Sequence, residues 1–296
     1  MPSDSVPWPD GVRCAVMLTF DVDADTIWRT LDPTAVDRPK TLSIGEYGPC
    51  RGVPRILDLL DRQGVKGSWM IPGLTAENWP DSVRAVAEAG HEIGNHGHLH
   101  ENFADLDVTQ QRDVLLRSND VLEKLTGVRP IGFRTPAGDM IPETPGLLAE
   151  LGFRWSSSMR GDDRPSFLSV AGEATDIVEI PAHWELDDFP QFMFNYHPPF
   201  PAGQCRIANY ADVLDTWISE FDAYYDLGLC YVIMFHPQTI GTPGRIALLD
   251  ELVAHITSRP GVWVATGAEV ADWWRSVGRP NEAGNPEEVF ARARER

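Results

Sequence analysis

Cysteine is scarce, with four in 296 residues, and Cys14, Cys50, Cys205 and Cys230 are scattered without a Cys-x-x-Cys pair. That spacing argues against a zinc knuckle or a disulfide framework and points to reduced, structural thiols. Positive charge is also scarce: 25 Lys and Arg stand against 44 Asp and Glu, a net charge of -19. Nucleic-acid backbones and anionic membrane surfaces need cationic contact, so neither is expected as a partner, and a neutral or small substrate fits better. No apolar run approaches the length of a membrane span. The first ten residues lack the basic start and apolar core of a signal peptide, so a cytoplasmic location is expected. No Gly-x-Gly-x-x-Gly turn follows the first strand-like segment, which weighs against a dinucleotide-binding sheet.

What is present reads as a soluble globular chain, 43% hydrophobic and 23% charged. Apolar strand-like segments recur at 14–20, 65–71, 92–96, 131–134, 153–157, 177–181, 231–236 and 262–266. Between most of them lie helical periodicities. Val53, Ile56, Leu57 and Leu60 run up to Gly64, and Val114, Val121, Leu122 and Leu125 run up to Gly127. Val213 to Phe221, Ile246 to Val253 and Val270 to Val277 continue the series. Strands alternating with helices call for a parallel sheet, and this many units favour a variant, distorted TIM-like (β/α) barrel of seven or eight strands over an open doubly wound sheet. Residues 1–278 are expected to form one catalytic barrel and 279–296 a charged tail. The stretches 25–49 and 185–208 break the alternation, and the second, rich in Phe, Tyr and Pro, is expected to shape a pocket or a subunit contact.

The chemistry concentrates in His91-Glu-Ile-Gly-Asn-His-Gly-His-Leu-His100. If the chain turns helical after this strand end, His96 and His100 share a face and can share a metal. An open metal site commonly adds a third ligand, here expected to be a carboxylate from Thr19-Phe-Asp-Val-Asp23. Asp21, Asp23, His96, Arg134, His183 and His236 all fall at C-terminal ends of predicted strands, which a parallel barrel gathers on one face. Each has a plainer reading alone: a strand-end Asp is often a turn cap, and an Arg is often a structural ion pair. His98, between the two imidazoles, is expected to point away. His91, His197 and His255 have no motif support.

These residues resemble the motifs of the polysaccharide deacetylase family, metal-dependent hydrolases that remove N-acetyl groups from amino sugars, over roughly residues 13–274. The resemblance of Thr19-Phe-Asp-Val-Asp23 to the first motif implies Asp21 as base and Asp23 as metal ligand. His96-Gly-His-Leu-His100 is similar to the second and implies His96 and His100 as the other ligands. Arg134-Thr-Pro-Ala-Gly138 resembles the motif that holds the base, and Met234-Phe-His236 the one that supplies the general acid. The chain departs from the usual pattern where Val22 separates the two Asp residues, Gly97 replaces a hydroxyl residue and Ala137 replaces an aromatic one. That resembles a divergent branch containing an atypical peptidoglycan deacetylase and hydrolases of small cyclic imides and ureides. Gly45-Glu-Tyr-Gly48 and Ile180-Pro-Ala-His-Trp184 also resemble that branch. They make Glu46, Tyr47, His183 and Trp184 substrate-binding candidates, with a turn or interface role equally weighted for Glu46.

The expected function is therefore metal-dependent hydrolysis of a non-peptide carbon-nitrogen bond, in a small cyclic imide, ureide or amide. N-deacetylation of peptidoglycan or chitooligosaccharide is the alternative, and a non-catalytic binding barrel is the alternative of another class. Imidazole and carboxylate suit one divalent zinc, although cobalt, nickel, iron or manganese accept the same ligands. The resemblance also implies a homo-oligomer.

Overall fold

The first strand, β1 (Cys14–Asp21), is buried along all eight residues, so both of its faces must pack. In a strand successive side chains alternate. Val16, Leu18 and Phe20 join one apolar cluster with the surrounding helices, whereas Ala15 and Met17 join a second with Met70, Trp155, Val178, Val232 and Met234. Sheet against helices forms the outer layer, and strand against strand fills the barrel interior. The computed structural model describes residues 6–136, 138–170, 173–195, 207–282 and 285.

The other strands are β2 (Ser68–Ile71), β3 (Glu92–Asn95), β4 (Gly132–Phe133), β5 (Trp155–Ser156), β6 (Ser166–Val170), β7 (Glu173–Glu179), β8 (Cys230–Phe235) and β9 (Val262–Val264). They form one curled sheet in the order β6-β7-β5-β4-β3-β2-β1-β8, with β9 paired to β1. Because β8 takes one edge of β1 from Ala15 to Phe20, β9 must share the other edge with β2, pairing at Cys14–Val16 where β2 pairs at Thr19–Asp21. The result is a distorted TIM-like barrel. All eight expected strand segments form strands. The ninth, β6, was not anticipated: it pairs antiparallel with β7, whose first half, Glu-Ala-Thr-Asp, is too polar to read as a strand.

The five periodic helices form as expected, at Val53–Gln63, Val108–Thr126, Tyr210–Leu227, Arg245–Ser258 and Gly267–Val277. Gly64 and Gly127 end the first two in the left-handed region, at φ 66° and 79°. The 25–49 excursion is largely helical, with short helices Thr26–Leu31 and Pro39–Tyr47. One substitution-sensitive point sits inside the barrel. A Cβ on Gly132 would lie 2.1 Å from the Trp155 ring, so the indole fills the space that a side chain on β4 would need. The Trp155 indole N–H donates to Glu92 Oε1 (2.9 Å), and Ser68 Oγ donates to Glu92 Oε2 (2.6 Å), closing the lower end with satisfied polar groups. Of the expected 279–296 tail, only residues 279–282 and 285 are described.

Candidate active site

The alternation that fills the barrel also builds its upper rim. Ala15 and Met17 belong to an inward column that continues through Thr19 to Asp21, and Val232 and Met234 to one that ends at His236. His96, Arg134 and Ser157 follow the ends of β3, β4 and β5 directly. Each inward apolar column therefore terminates in a polar group at the C-terminal face, where a TIM-like barrel carries its chemistry. Asp21, Asp23, His96, His100, Arg134 and His236 line one cavity of about 240 Å³. A larger cavity, about 420 Å³, opens at the other end between Glu88, His91 and Ile131 and shares none of these residues.

Asp23 is fully buried, and neither of its carboxylate oxygens has a hydrogen-bond partner among the described residues. Around it stand His96 Nε2 and His100 Nε2, each 3.5 Å from Oδ1, and His236 Nε2, 3.6 Å from Oδ2. A buried carboxylate without donors is costly unless a cation compensates it. Burial pushes the Asp23 carboxyl up, but the neighbouring His100, His96 and His236 pull it well below the usual carboxylate range. Burial pushes His100 down to about 4, although Asp23 opposes the shift, so its ring is a neutral lone-pair donor at neutral pH. His96 Nδ1 lies 2.9 Å from the Arg134 carbonyl oxygen. A carbonyl only accepts, so Nδ1 carries the proton and Nε2 is left free to ligate. Asp23, His96 and His100 can hold a metal ion on donor type, burial and mutual distance.

The residues after β3 do not turn helical, contrary to the expectation from the His96 and His100 spacing. Gly97 and His100 both take left-handed backbone, φ 69° and 61°, as does Ala24 at φ 52° beside Asp23. A tight loop thus brings the two rings together edge to face with centroids 5.1 Å apart. Non-glycine residues at positive φ cost energy, and such strain gathers at functional sites. His98 points away from the cavity, as expected, and its Nδ1 would lie 2.3 Å from a Cβ on Gly73.

Arg134 is fully buried and forked across four acceptors. Nη1 donates to Asp21 Oδ1 (2.7 Å) and Thr19 Oγ1 (2.9 Å), Nε to the Ser157 carbonyl (2.9 Å) and Nη2 to Ser157 Oγ (2.9 Å). Asp21 is thereby fixed with its other oxygen 3.8 Å from His96 Nε2. Opposite, His236 Nδ1 donates to Asp188 Oδ1 (2.7 Å). Burial alone would lower the His236 imidazole, but the bond to Asp188 and the charges of Asp188, Asp23 and Asp187 raise it to about 10. A cation on Asp23 would repel that proton and draw the value back down.

Among the substrate-binding candidates, Trp184 lines the cavity, whereas Glu46, Tyr47 and His183 do not. Tyr47 is engaged by Arg55 Nη1 through its hydroxyl. His183 Nε2 is 2.8 Å from Asp163 Oδ1, which also accepts from the Tyr224 hydroxyl. His183 follows a strand end, but the chain turns it toward that carboxylate and away from the rim. Sequence reasoning missed Asp187, Asp188 and Arg160. The first two precede and open a five-residue helix, Asp188–Phe192, inside the 185–208 stretch, where no periodicity marks them. Their adjacency in an otherwise aromatic segment was the available signal. Phe189 and Pro190 from the same stretch line the cavity, while residues 196–206, which include His197, Phe200 and Cys205, and Ala137 lie outside the described residues.

A barrel that gathers a carboxylate, two imidazoles, a guanidinium-held Asp and a carboxylate-backed His at one rim has the parts of a hydrolase. A family model for polysaccharide deacetylase matches residues 12–156. A peptidoglycan deacetylase of Helicobacter pylori is 30% identical over 282 residues, covering 87% of this chain and 95% of the relative. A crystal structure from Mycobacterium smegmatis, assigned to the polysaccharide deacetylases, superimposes with TM-score 0.89 at 40% identity over 95% of this chain and 97% of that one. The PuuE allantoinase structure gives TM-score 0.77 at 25% identity over 93% and 94%. The chain belongs to the polysaccharide deacetylase family, hydrolases acting on carbon-nitrogen bonds. No helix among the described residues is long and apolar enough to cross a membrane.

Proposed function

We propose that the protein is a metal-dependent hydrolase of a small cyclic imide, ureide or amide, with Asp23, His96 and His100 holding one divalent ion, zinc by ligand type. The observation that carries this reading is the buried Asp23 carboxylate, without a donor among the described residues, between two imidazole Nε2 atoms at 3.5 Å. When bound, such an ion supplies Lewis acidity, polarising a carbonyl and making water easier to deprotonate. Asp21, oriented by Arg134, takes the proton of the attacking water. His236 holds a proton at Nε2, with Asp188 fixing the ring through Nδ1, and delivers it to the departing nitrogen. Ile27, Trp184, Phe189 and Pro190 give the cavity, about 240 Å³ as lined by the described residues, apolar walls that fit a small ring.

A second reading, N-deacetylation of an amino-sugar glycan, is favoured by the near full-length match to a peptidoglycan deacetylase and by Trp184, 56% exposed beside the cavity, where a sugar face could stack. A turnover screen of the metal-loaded protein against succinimide, allantoin and N-acetylated chitooligosaccharides separates the two. Ring opening without deacetylation is expected; deacetylation of the oligosaccharide without ring opening overturns the small-substrate reading and leaves the metal site standing.

A further inference from the structure

Two guanidinium groups line the cavity, and they differ in what they already hold. Arg134 spends its donors on Asp21, Thr19 and Ser157. Arg160 follows β5 in a loop that is pinned from below, since Glu179 Oε1 accepts from the backbone N–H groups of Ser158 (2.6 Å) and Met159 (2.8 Å). Its Nη1 turns back onto the carbonyls of Ser158 (3.3 Å) and Met159 (3.1 Å), and its Cζ lies 4.7 Å from the centre of the Trp184 ring. The other edge of the guanidinium is not so engaged. Nη2 meets only the thioether of Met234 at 3.9 Å among the described residues, and Nε is buried without any acceptor among them. Nε and Nη2 are the parallel donors with which Arg grips paired or planar oxygens, and Met234, beside that edge, also lines the cavity.

We propose that Arg160, stacked on Trp184, is a substrate-binding residue that receives a second acceptor oxygen, a carboxylate or a distal carbonyl, of the molecule whose scissile carbonyl lies at the Asp23 end of the cavity. The inference rests on the hydrolase reading above and narrows its substrate to molecules with two acceptor oxygens. A guanidinium that lines a cavity while one edge meets only a thioether among the described residues keeps donors for a ligand; one kept only for packing would show no ligand preference. The thioether is a weak acceptor and a flexible one, so a ligand oxygen can take its place.

Isothermal titration calorimetry on the metal-loaded protein tests this without turnover. Two matched pairs are titrated, succinate against butyrate and hexane-2,5-dione against hexan-2-one, into wild type, Arg160→Lys and Arg160→Met. Wild type is expected to bind the two-oxygen member of at least one pair tenfold or more tighter. The first pair reports an anionic oxygen and the second a neutral carbonyl. Arg160→Met is expected to equalise the members of the preferred pair, and Arg160→Lys, which keeps charge without the fork, to retain part of the difference. Absence of preference in wild type, or full preference in Arg160→Met, overturns the proposal. Should Arg160→Met not fold, undiminished preference in Arg160→Lys overturns it equally. Ring opening of an imide together with no preference here would reject Arg160 alone. Deacetylation of chitooligosaccharide together with a clear preference would reject the small-ring substrate and keep Arg160.

Discussion

Asp188 accepts twice from one residue, from the Nδ1–H of His236 at 2.7 Å and from its backbone N–H at 3.1 Å, so ring and main chain are locked in the same orientation. The carboxylate is itself fully buried, and the low dielectric around it strengthens its hold on an imidazolium.

The sign of a change at Asp188 follows. The raised His236 value reflects stabilisation of the protonated ring, and Asp188→Asn removes the negative charge that provides most of it. The alkaline limb of the kcat profile should move to lower pH. Loss of kcat should be modest near pH 6 and reach on the order of 10² at pH 9, where the ring has lost its proton. Metal content should not change. A limb at the wild-type position would show that His236 is not the acid.

A second expectation concerns the ion. Anything that binds the folded state alone stabilises it, by about 2.7 kcal/mol at a hundredfold excess over Kd. Zinc added to stripped protein should therefore raise Tm by several degrees. In Asp23→Asn the response should vanish, because a neutral amide replaces the buried carboxylate between His96 and His100. The stripped forms are the informative comparison: Asp23→Asn should fall below stripped wild type, since it loses the attraction of His100, His96 and His236 that holds the carboxyl well below the usual range. A full zinc response in the variant would move the metal elsewhere.

Much of the architecture was legible because burial and periodicity coincide. β1, β2 and β8 are apolar on both faces, and the five long helices carry clean periods with glycine at the first two ends. Placement of Asp21, Asp23, His96, Arg134 and His236 in one cavity followed from strand-end position, because parallel strands point their C-terminal ends the same way, while His100 was reached from its spacing to His96. His183 satisfied the same rule and still turned to Asp163, since a residue four positions beyond its strand is steered by whichever partner it meets. Asp188 and Arg160 obeyed no period, being placed by contacts across the barrel that no local pattern encodes. The loop at Gly97–His100 reached the ligand geometry through positive φ angles, where the spacing had suggested a helix.

Acid stability should depend on His91, far from the reaction site. The backbone N–H of Gly67 donates to His91 Nδ1 at 3.1 Å, which requires an unprotonated nitrogen. Burial, and secondarily the charge of Lys66, push this imidazole down to about 4, against about 6.5 in an unfolded chain. Between those values the unfolded state binds the extra proton, so the contribution is complete above about pH 6.5 and is lost as pH falls toward 4. His91→Gln should flatten the decline in unfolding free energy between pH 7 and 5 by on the order of 1 kcal/mol, a figure reduced for the water that reaches the ring edge. Urea titrations at the two pH values measure it, and an unchanged slope would count against a buried neutral His91.

Asp21 offers the sharpest separation of catalysis from structure. Asp21→Asn keeps the shape and one acceptor oxygen for Arg134 Nη1, so the fork to Thr19 and Ser157 can persist. It removes the only side-chain charge that Arg134 contacts directly among the described residues, leaving a buried guanidinium uncompensated. Breaking a buried pair from one side costs about 3–5 kcal/mol, and the retained hydrogen bond should hold the loss toward the lower end. Turnover should fall by on the order of 10² to 10⁴, the scale for a missing general base, while KM and metal content stay near wild type because Asp23, His96 and His100 are untouched. The protein must be assayed well below its reduced Tm so that instability does not pass for lost chemistry. Lost turnover together with lost metal would exchange the roles of Asp21 and Asp23, and retained turnover with retained metal would assign the base to another group.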